Sequence, residues 1–192
     1  MTIPYIALCG WPKSGKSEVA QILEEEFGAI TVDDGRALRD AGIVLYGLTE
    51  WHVSTQEGKA SFVEVCGQKV QVRQLLGDLG QMLEDRYGEQ VVPEMALRQV
   101  KKMRELRSDT DLFVFPSVRK TQGLAYKRAG GVVVEVVRSG VQPSPYAFDR
   151  YDAGLVDYSI VNPAPLVVPP EQVEHWRREL RRIVTTFIPR VL

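Results

Sequence analysis

Apolar positions along this chain change their spacing several times, and each change marks an element. Pro4-Tyr5-Ile6-Ala7-Leu8-Cys9 is a short continuous apolar run, the pattern of a strand buried on both faces. Val19, Ile22, Leu23 and Phe27 then recur at helical spacing, and Gly28 is placed to end that helix. Ala29-Ile30-Thr31-Val32 reads as a second short strand running directly into Asp33-Asp34-Gly35-Arg36. Periodicity is weakest over residues 40–69, which carry several glycines together with Trp51 and His52, and this stretch reads as an irregular excursion over an acceptor site. Helical spacing returns through Val72, Leu75, Leu76, Leu79, Met82 and Leu83, although Gly77 and Gly80 would each cost about 1 kcal/mol against Ala in a helix interior. Glycines kept at that cost suggest close packing or a nearby ligand.

Pro93 opens a third helix, with Ala96, Leu97, Val100, Met103 and Leu106 on one side and Arg98, Lys101, Lys102, Arg104 and Arg107 mostly on the other. Leu112-Phe113-Val114-Phe115 is again fully apolar and ends at Pro116-Ser117-Val118-Arg119. A short helix around residues 121–129, then Gly130-Gly131 and the strand 132–137, form a further βαβ unit. Residues 139–157 form a candidate lid rich in Pro, Tyr and Asp; residues 158–161 are a last strand, and Val173, Trp176, Leu180, Ile183, Val184 and Phe187 stripe a closing helix. Strands alternating with helices predict a three-layer α/β domain whose mostly parallel sheet is flanked by helices, over residues 1–192 as one unit.

Gly10-Trp11-Pro12-Lys13-Ser14-Gly15-Lys16-Ser17 reads G-x-x-x-x-G-K-S between the first strand and the first helix, a P-loop, and with it the α/β domain is expected to be a P-loop NTPase fold. Glycines let consecutive backbone N–H groups turn inward, and the helix adds its positive end to the anion site. Gly10, Lys13, Ser14, Gly15, Lys16 and Ser17 are therefore the expected nucleotide-binding residues, with Lys16 on the β/γ-phosphates of ATP and the Ser17 hydroxyl on Mg²⁺. In an open parallel sheet, ligands gather beyond the carboxyl ends of the strands, where the other candidates fall. Asp33 and Asp34 follow the second strand, and a carboxylate there would accept the proton of a hydroxyl acceptor, whereas a phosphate acceptor needs mainly positive charge. The same D-D-G run is also ordinary turn chemistry. Arg36 and Arg39 could clamp an acceptor phosphate; Arg73 and Arg119 are further candidates; Arg138, Lys120, Lys127 and Arg150 could supply a lid cation. Tyr146, Phe148 and Tyr151 could stack on a base or serve as packing anchors.

Composition narrows the partners. Lys+Arg 24 against Asp+Glu 25 gives a formal net charge of -1, so no global basic field draws the chain to nucleic acid or an anionic membrane, although a local patch is compatible with this balance. Two cysteines without a C-x-x-C pair predict reduced, buried thiols in the cytoplasm, and the sequence predicts neither secretion nor a membrane span.

Over nearly its full length the chain resembles the phage deoxynucleoside monophosphate kinases. The resemblance rests on the P-loop, D-D-G-R-A-L-R, V-R-Q-L-L-G-D-L-G at 72–80, S-V-R at 117–119, A-G-G-V-V-V-E-V-V-R-S-G at 129–140 and D-Y-S-I-V-N at 157–162. Such kinases typically carry an acidic residue two places before the arginine, where this chain has Ser117. A divergent branch of similar outline phosphorylates the 5-hydroxymethyl group of hydroxymethyluracil in phage DNA. The resemblance thus implies an ATP- and Mg²⁺-dependent kinase acting on a nucleotide substrate, either hydroxymethylated DNA or a free dNMP, in the host cytoplasm if phage-encoded. Lys16, Asp33, Asp34 and Arg119 are the expected catalytic residues, and Arg36, Arg39, Arg73, Arg138 and Arg150 the expected substrate-binding ones. A GTP-binding switch is disfavoured because no N-K-x-D or T-K-x-D segment occurs. A nucleotide-binding module without transfer activity is the remaining alternative.

Overall fold

A computed structural model describes residues 5–106 and 112–191; of the sequence-derived stripes, Pro4 and Arg107 lie outside the described residues. The elements run β1 (Tyr5–Cys9), α1 (Lys16–Phe27), β2 (Ile30–Thr31), α2 (Arg36–Tyr46), α3 (Glu50–Ser54), α4 (Gln56–Ala60), β3 (Phe62–Val65), β4 (Gln68–Gln71), α5 (Val72–Tyr87), α6 (Val91–Leu106), β5 (Phe113–Phe115), α7 (Gly123–Arg128), β6 (Val132–Arg138), β7 (Tyr158–Asn162) and α8 (Val173–Phe187). They fall into two compact units, one reaching to Asp33 and resuming at Pro93, the other from Asp34 to Val92.

The first unit carries a five-stranded sheet in the order β2-β5-β1-β6-β7, parallel throughout. Period-two alternation divides β1 between two cores. Ile6 and Leu8 face one side, with Val134, Val136 and Ile160, against Val19, Ile22 and Leu23 of α1 and Leu180 and Val184 of α8. Tyr5, Ala7 and Cys9 face the other, with Phe113 and Phe115, against Ala96 and Val100 of α6 and Tyr126 of α7. Tyr126 is fully buried and stacks on Phe115 with ring centroids 4.2 Å apart. Full burial of such a side chain is worth about 1.5–3 kcal/mol. The result is three layers, helices on both faces of a parallel sheet, as the strand-helix alternation predicts.

The second unit is more regular than the weak periodicity of residues 40–69 suggests. It packs α2 against α5 and adds a β3-β4 hairpin with its own small core of Leu48, Val53, Val72 and Leu75. Its helices α3 and α4 span only five residues each, too few to show a period, and side chains fix their starts: Thr49 and His52 form a capping box, and the Thr55 hydroxyl accepts from Gly58 N at 2.9 Å. Two glycines of this unit serve packing. A Cβ on Gly42 would meet Leu76 at 2.9 Å and one on Gly80 would meet Leu38 at 3.4 Å, so α2 and α5 approach closely across them. The hairpin turns at Cys66, which has φ +50° and is exposed, correcting the expectation that both thiols are buried; Cys9 is the buried one. Residues 139–157 form turns and two short 3₁₀ segments, Ala147–Asp149 and Ala153–Leu155. No helix among the described residues is long and apolar enough to cross a membrane.

Candidate functional site

At the end of β1 the chain turns at Gly10, whose φ of +133° suits glycine; a Cβ there would lie 2.5 Å from Val136 O and 3.0 Å from Ser14 Oγ. The loop continues through Lys13 at φ +70°, closes a turn by donation from Ser14 N to Trp11 O at 3.1 Å, and enters α1 through Gly15 at φ +101°. Three left-handed residues within six positions curl the backbone into the concave form that binds anions. Lys16 and Ser17 open α1, and the N–H groups of a first helical turn have no partner inside the helix. The loop and the helix end therefore present donors and a positive dipole to one place.

Two residues, at the ends of β6 and β7, hold the loop from outside. Asn162, buried at the end of β7, donates from Nδ2 to Ser14 O at 3.0 Å and accepts at Oδ1 from Ala164 N at 3.1 Å. Arg138, the last residue of β6, donates from Nε to Ala164 O at 3.0 Å, from one terminal nitrogen to Lys13 O at 3.2 Å and from the other to Pro165 O. Its guanidinium is thus bonded to main-chain carbonyls and ties the P-loop to residues 164–165, at the position where the sequence pattern predicts a substrate or lid cation.

Lys16 folds back over the loop, its Nζ donating to Gly10 O at 2.7 Å and Trp11 O at 2.9 Å. Burial, and after it the positive charge of Arg119, lower the ammonium from the usual 10.5 to about 8, while Asp149 and Cys9 act in the opposite sense. The Cys9 thiol beneath it is pushed up to about 12 by burial and then by the charge of Glu135. Glu135 stands on β6, opposite Cys9 of β1 and Ser159 of β7; it accepts from Ser159 Oγ at 3.1 Å and from the Tyr151 hydroxyl. That hydroxyl is shifted well above the usual phenol range by burial and by its bond to Glu135. A carboxylate inside the apolar run 132–137 is the signal that could have singled out Glu135 from sequence.

Arg119 lies past β5, in the segment that Val118 fastens to β1 through its N–H on Leu8 O at 3.1 Å. Its guanidinium is 3.7 Å from the carboxylate of Asp149 and stands over the Phe148 ring at 5.8 Å. Tyr146 and Phe148 stack on each other at 5.1 Å, and Tyr151 meets Trp11 edge-on at 5.5 Å.

Gly10, Lys13, Ser14, Gly15, Lys16, Ser17, Arg119 and Arg138 are thus brought together in the first unit. Asp33 closes the first segment of this unit, half-buried and two residues past β2. Asp34 opens the second unit and is only 7% exposed. Arg36, Arg39 and Arg73 also belong to the second unit: Arg36 pairs with Asp40 and Glu50, each at 2.8 Å, and Arg73 donates to Gln56 at 2.8 Å. Arg150 is exposed, and its carbonyl accepts from Lys120 N at 2.6 Å. Sequence reasoning missed Asp149 and Asn162, whose environments come from residues distant in the chain.

Fold and loop together define a P-loop nucleotide-binding protein of the α/β class. No known family model matches the chain, and no curated protein matches it in sequence. Among solved structures it is similar to dephospho-CoA kinase from Campylobacter jejuni, at 12% identity over 100% of both chains with a TM-score of 0.48. It is similar also to TT1252 from Thermus thermophilus, at 14% identity over 97% of this chain and 99% of that one with a TM-score of 0.47. Shikimate kinase from Acinetobacter baumannii, in complex with shikimate, matches at 14% identity over 100% of this chain and 96% of that one, with a TM-score of 0.43.

Proposed function

We propose that the protein is an ATP- and Mg²⁺-dependent phosphotransferase. The observation that carries this reading is the curled loop at the end of the central strand β1, with the desolvated Lys16 ammonium lying across it. The loop suits a triphosphate. Its curvature is fixed from outside by Asn162 and Arg138, and its lysine is held by main-chain carbonyls that phosphate oxygens can replace. Among the described residues no group of three or more His, Cys, Asp or Glu side chains could hold a metal. Mg²⁺ would therefore arrive with the nucleotide, bound mainly by phosphate oxygens and waters with the Ser17 hydroxyl as protein ligand.

For the acceptor we infer a hydroxyl, with the 5-hydroxymethyl group of hydroxymethyluracil in DNA as the leading choice. Support comes from Asp33, placed past a strand end of the sheet that carries the loop, and from Ser117 standing where the resembling kinases carry an acid. A free dNMP is the second reading; Arg36, Arg39 and Arg73, gathered in the second unit, favour it because arginines clamp phosphate bidentately. The test offers γ-labelled ATP together with hydroxymethyluracil-containing duplex DNA or with each dNMP. Label in the DNA supports the hydroxyl kinase, label in dNDP alone selects the second reading, and no transfer to any acceptor with no MgATP binding overturns both.

A further inference from the structure

The P-loop pattern fixes glycines, a lysine and a serine but leaves the residue after its first glycine open; here that residue is Trp11, the one aromatic side chain in the loop. Its main chain stands at the phosphate site, because Trp11 O accepts from Lys16 Nζ at 2.9 Å and from Ser14 N at 3.1 Å. Its ring is braced from one side. Tyr151 meets the indole edge-on with centroids 5.5 Å apart, and Tyr151 is itself fixed twice, by its hydroxyl on Glu135 and by a main-chain bridge to Lys120. Lys120 N donates to Arg150 O at 2.6 Å and Asp152 N to Lys120 O at 3.0 Å, which closes that bridge. Glu135 accepts in turn from Ser159 Oγ at 3.1 Å and lies level with Cys9, the residue before the loop.

A loop that only cradles phosphate works through its backbone N–H groups and its lysine. The indole adds nothing to that task, yet it is held firmly and left partly exposed, and among the described residues Tyr151 is the only ring against it. The chemistry of the reactants says which flat ring comes near. The adenine of ATP is separated from the γ-phosphoryl group by a ribose and two phosphates, and the base of a dNMP is separated from its acceptor phosphate by a deoxyribose. In a 5-hydroxymethylpyrimidine the reacting oxygen is one methylene away from the ring, so that ring must come to the loop itself. We propose, on the strength of the hydroxyl-kinase reading, that Trp11 is a specificity-determining residue: its indole, braced by Tyr151, is the surface on which the acceptor pyrimidine lies while its hydroxymethyl group reaches the phosphates. A base lying on an indole has left the duplex stack, so the acceptor is taken as an unpaired or everted nucleotide.

The probe is a short single strand of abasic nucleotides carrying one 5-hydroxymethyluracil, with the all-abasic strand as control. Replacing Trp51 and Trp176 by Phe leaves Trp11 as the sole tryptophan of the full chain, and its emission is followed with a non-hydrolysable MgATP analogue present. Quenching by the hydroxymethyluracil strand and none by the control is expected. In steady-state transfer to the same strand, Trp11→Leu should raise the acceptor KM by about ten- to hundredfold, the effect of one lost base–aromatic stack, and Trp11→Phe, which keeps a flat ring, should restore most of it. Emission indifferent to the base overturns the inference, as does an unchanged acceptor KM in Trp11→Leu; transfer to the strand would in either case leave the hydroxyl-kinase reading standing. A loss that Trp11→Phe shares in full, together with a raised KM for MgATP, marks a merely structural role and overturns it as well. If the wild type transfers no phosphate to hydroxymethyluracil in this strand or in duplex DNA, the hydroxyl-kinase reading falls and this inference with it.

Discussion

The side-chain amide of Asn162 occupies the space that any side chain on Gly15 would need. Its Nδ2 donates to Ser14 O at 3.0 Å, and a Cβ on Gly15 would come within 2.2 Å of that nitrogen. Gly15 also holds φ +101°. Gly15→Ala therefore meets a backbone cost of about 1–3 kcal/mol on top of the clash. MgATP binding is expected to weaken by more than tenfold, and calorimetry on Gly15→Ala in an Asn162→Ala background should recover only the part due to the clash. Full recovery would mean that backbone conformation plays no part.

Lys16 makes stability and binding respond to pH in opposite directions. Its folded value, about 8, lies below the ordinary 10.5, so the unfolded chain binds more protons between these limits and stability rises with pH across that window. Below about pH 8 the lysine is charged in both states and the full penalty is present, on the order of 3 kcal/mol. MgATP affinity should instead fall as the pH passes about 8, because the ammonium that meets the phosphates is lost. Denaturant melts of wild type and Lys16→Met at matched pH check the first expectation, since the variant should lack the alkaline rise. A rise of the same size in the variant assigns the effect to another group.

Asp33 and Asp34 differ in burial, and a general base must reach its substrate. With Asp34 only 7% exposed and Asp33 half-buried, Asp33→Asn is expected to lower transfer to a hydroxyl acceptor by about 10²–10⁴-fold with little change in MgATP affinity. Asp34→Asn should act mainly on stability, read as a lower melting temperature. Near-native rates for both variants on hydroxymethyluracil DNA would remove the argument for a hydroxyl acceptor.

Arg138→Ala removes donors to three carbonyls that hold the P-loop against residues 164–165. MgATP affinity should drop by about tenfold, the effect of roughly one charged hydrogen bond, while the acceptor KM stays unchanged. Arg138→Lys should not rescue it, since an ammonium cannot reproduce the guanidinium fork. A raised acceptor KM with normal MgATP affinity would assign Arg138 to the substrate instead.

Local pattern carried much of this fold into view. The buried strands β1, β5 and β6 read as unbroken apolar runs because both of their faces are covered, and α1 and α8 show their stripes because each buries one side. The loop was legible because its chemistry needs glycines at fixed offsets, and Gly10 and Gly15 are where the backbone is left-handed. The helices α3 and α4 were not, because single turns held by threonine hydroxyls leave no period. The main-chain bonds of Arg138 were hidden for a related reason: an arginine at a strand end looks the same in sequence whether or not it holds its own main chain. Asp149 and Asn162 escaped because their partners, Arg119 and Ser14, lie far along the chain.

The sheet order has a consequence for how the chain can be made. β1 and β2 are synthesised first, yet they never pair with each other; β5 lies between them and bonds to both. A nascent chain that has emerged only as far as Val92 therefore holds two strands of the five-stranded sheet with nothing to join them, and that sheet can zip only after residues 113–115 leave the ribosome. Until then the apolar run of β1 lacks its partners, and the contiguous stretch 34–92, whose internal contacts are all within reach, is free to fold ahead of it.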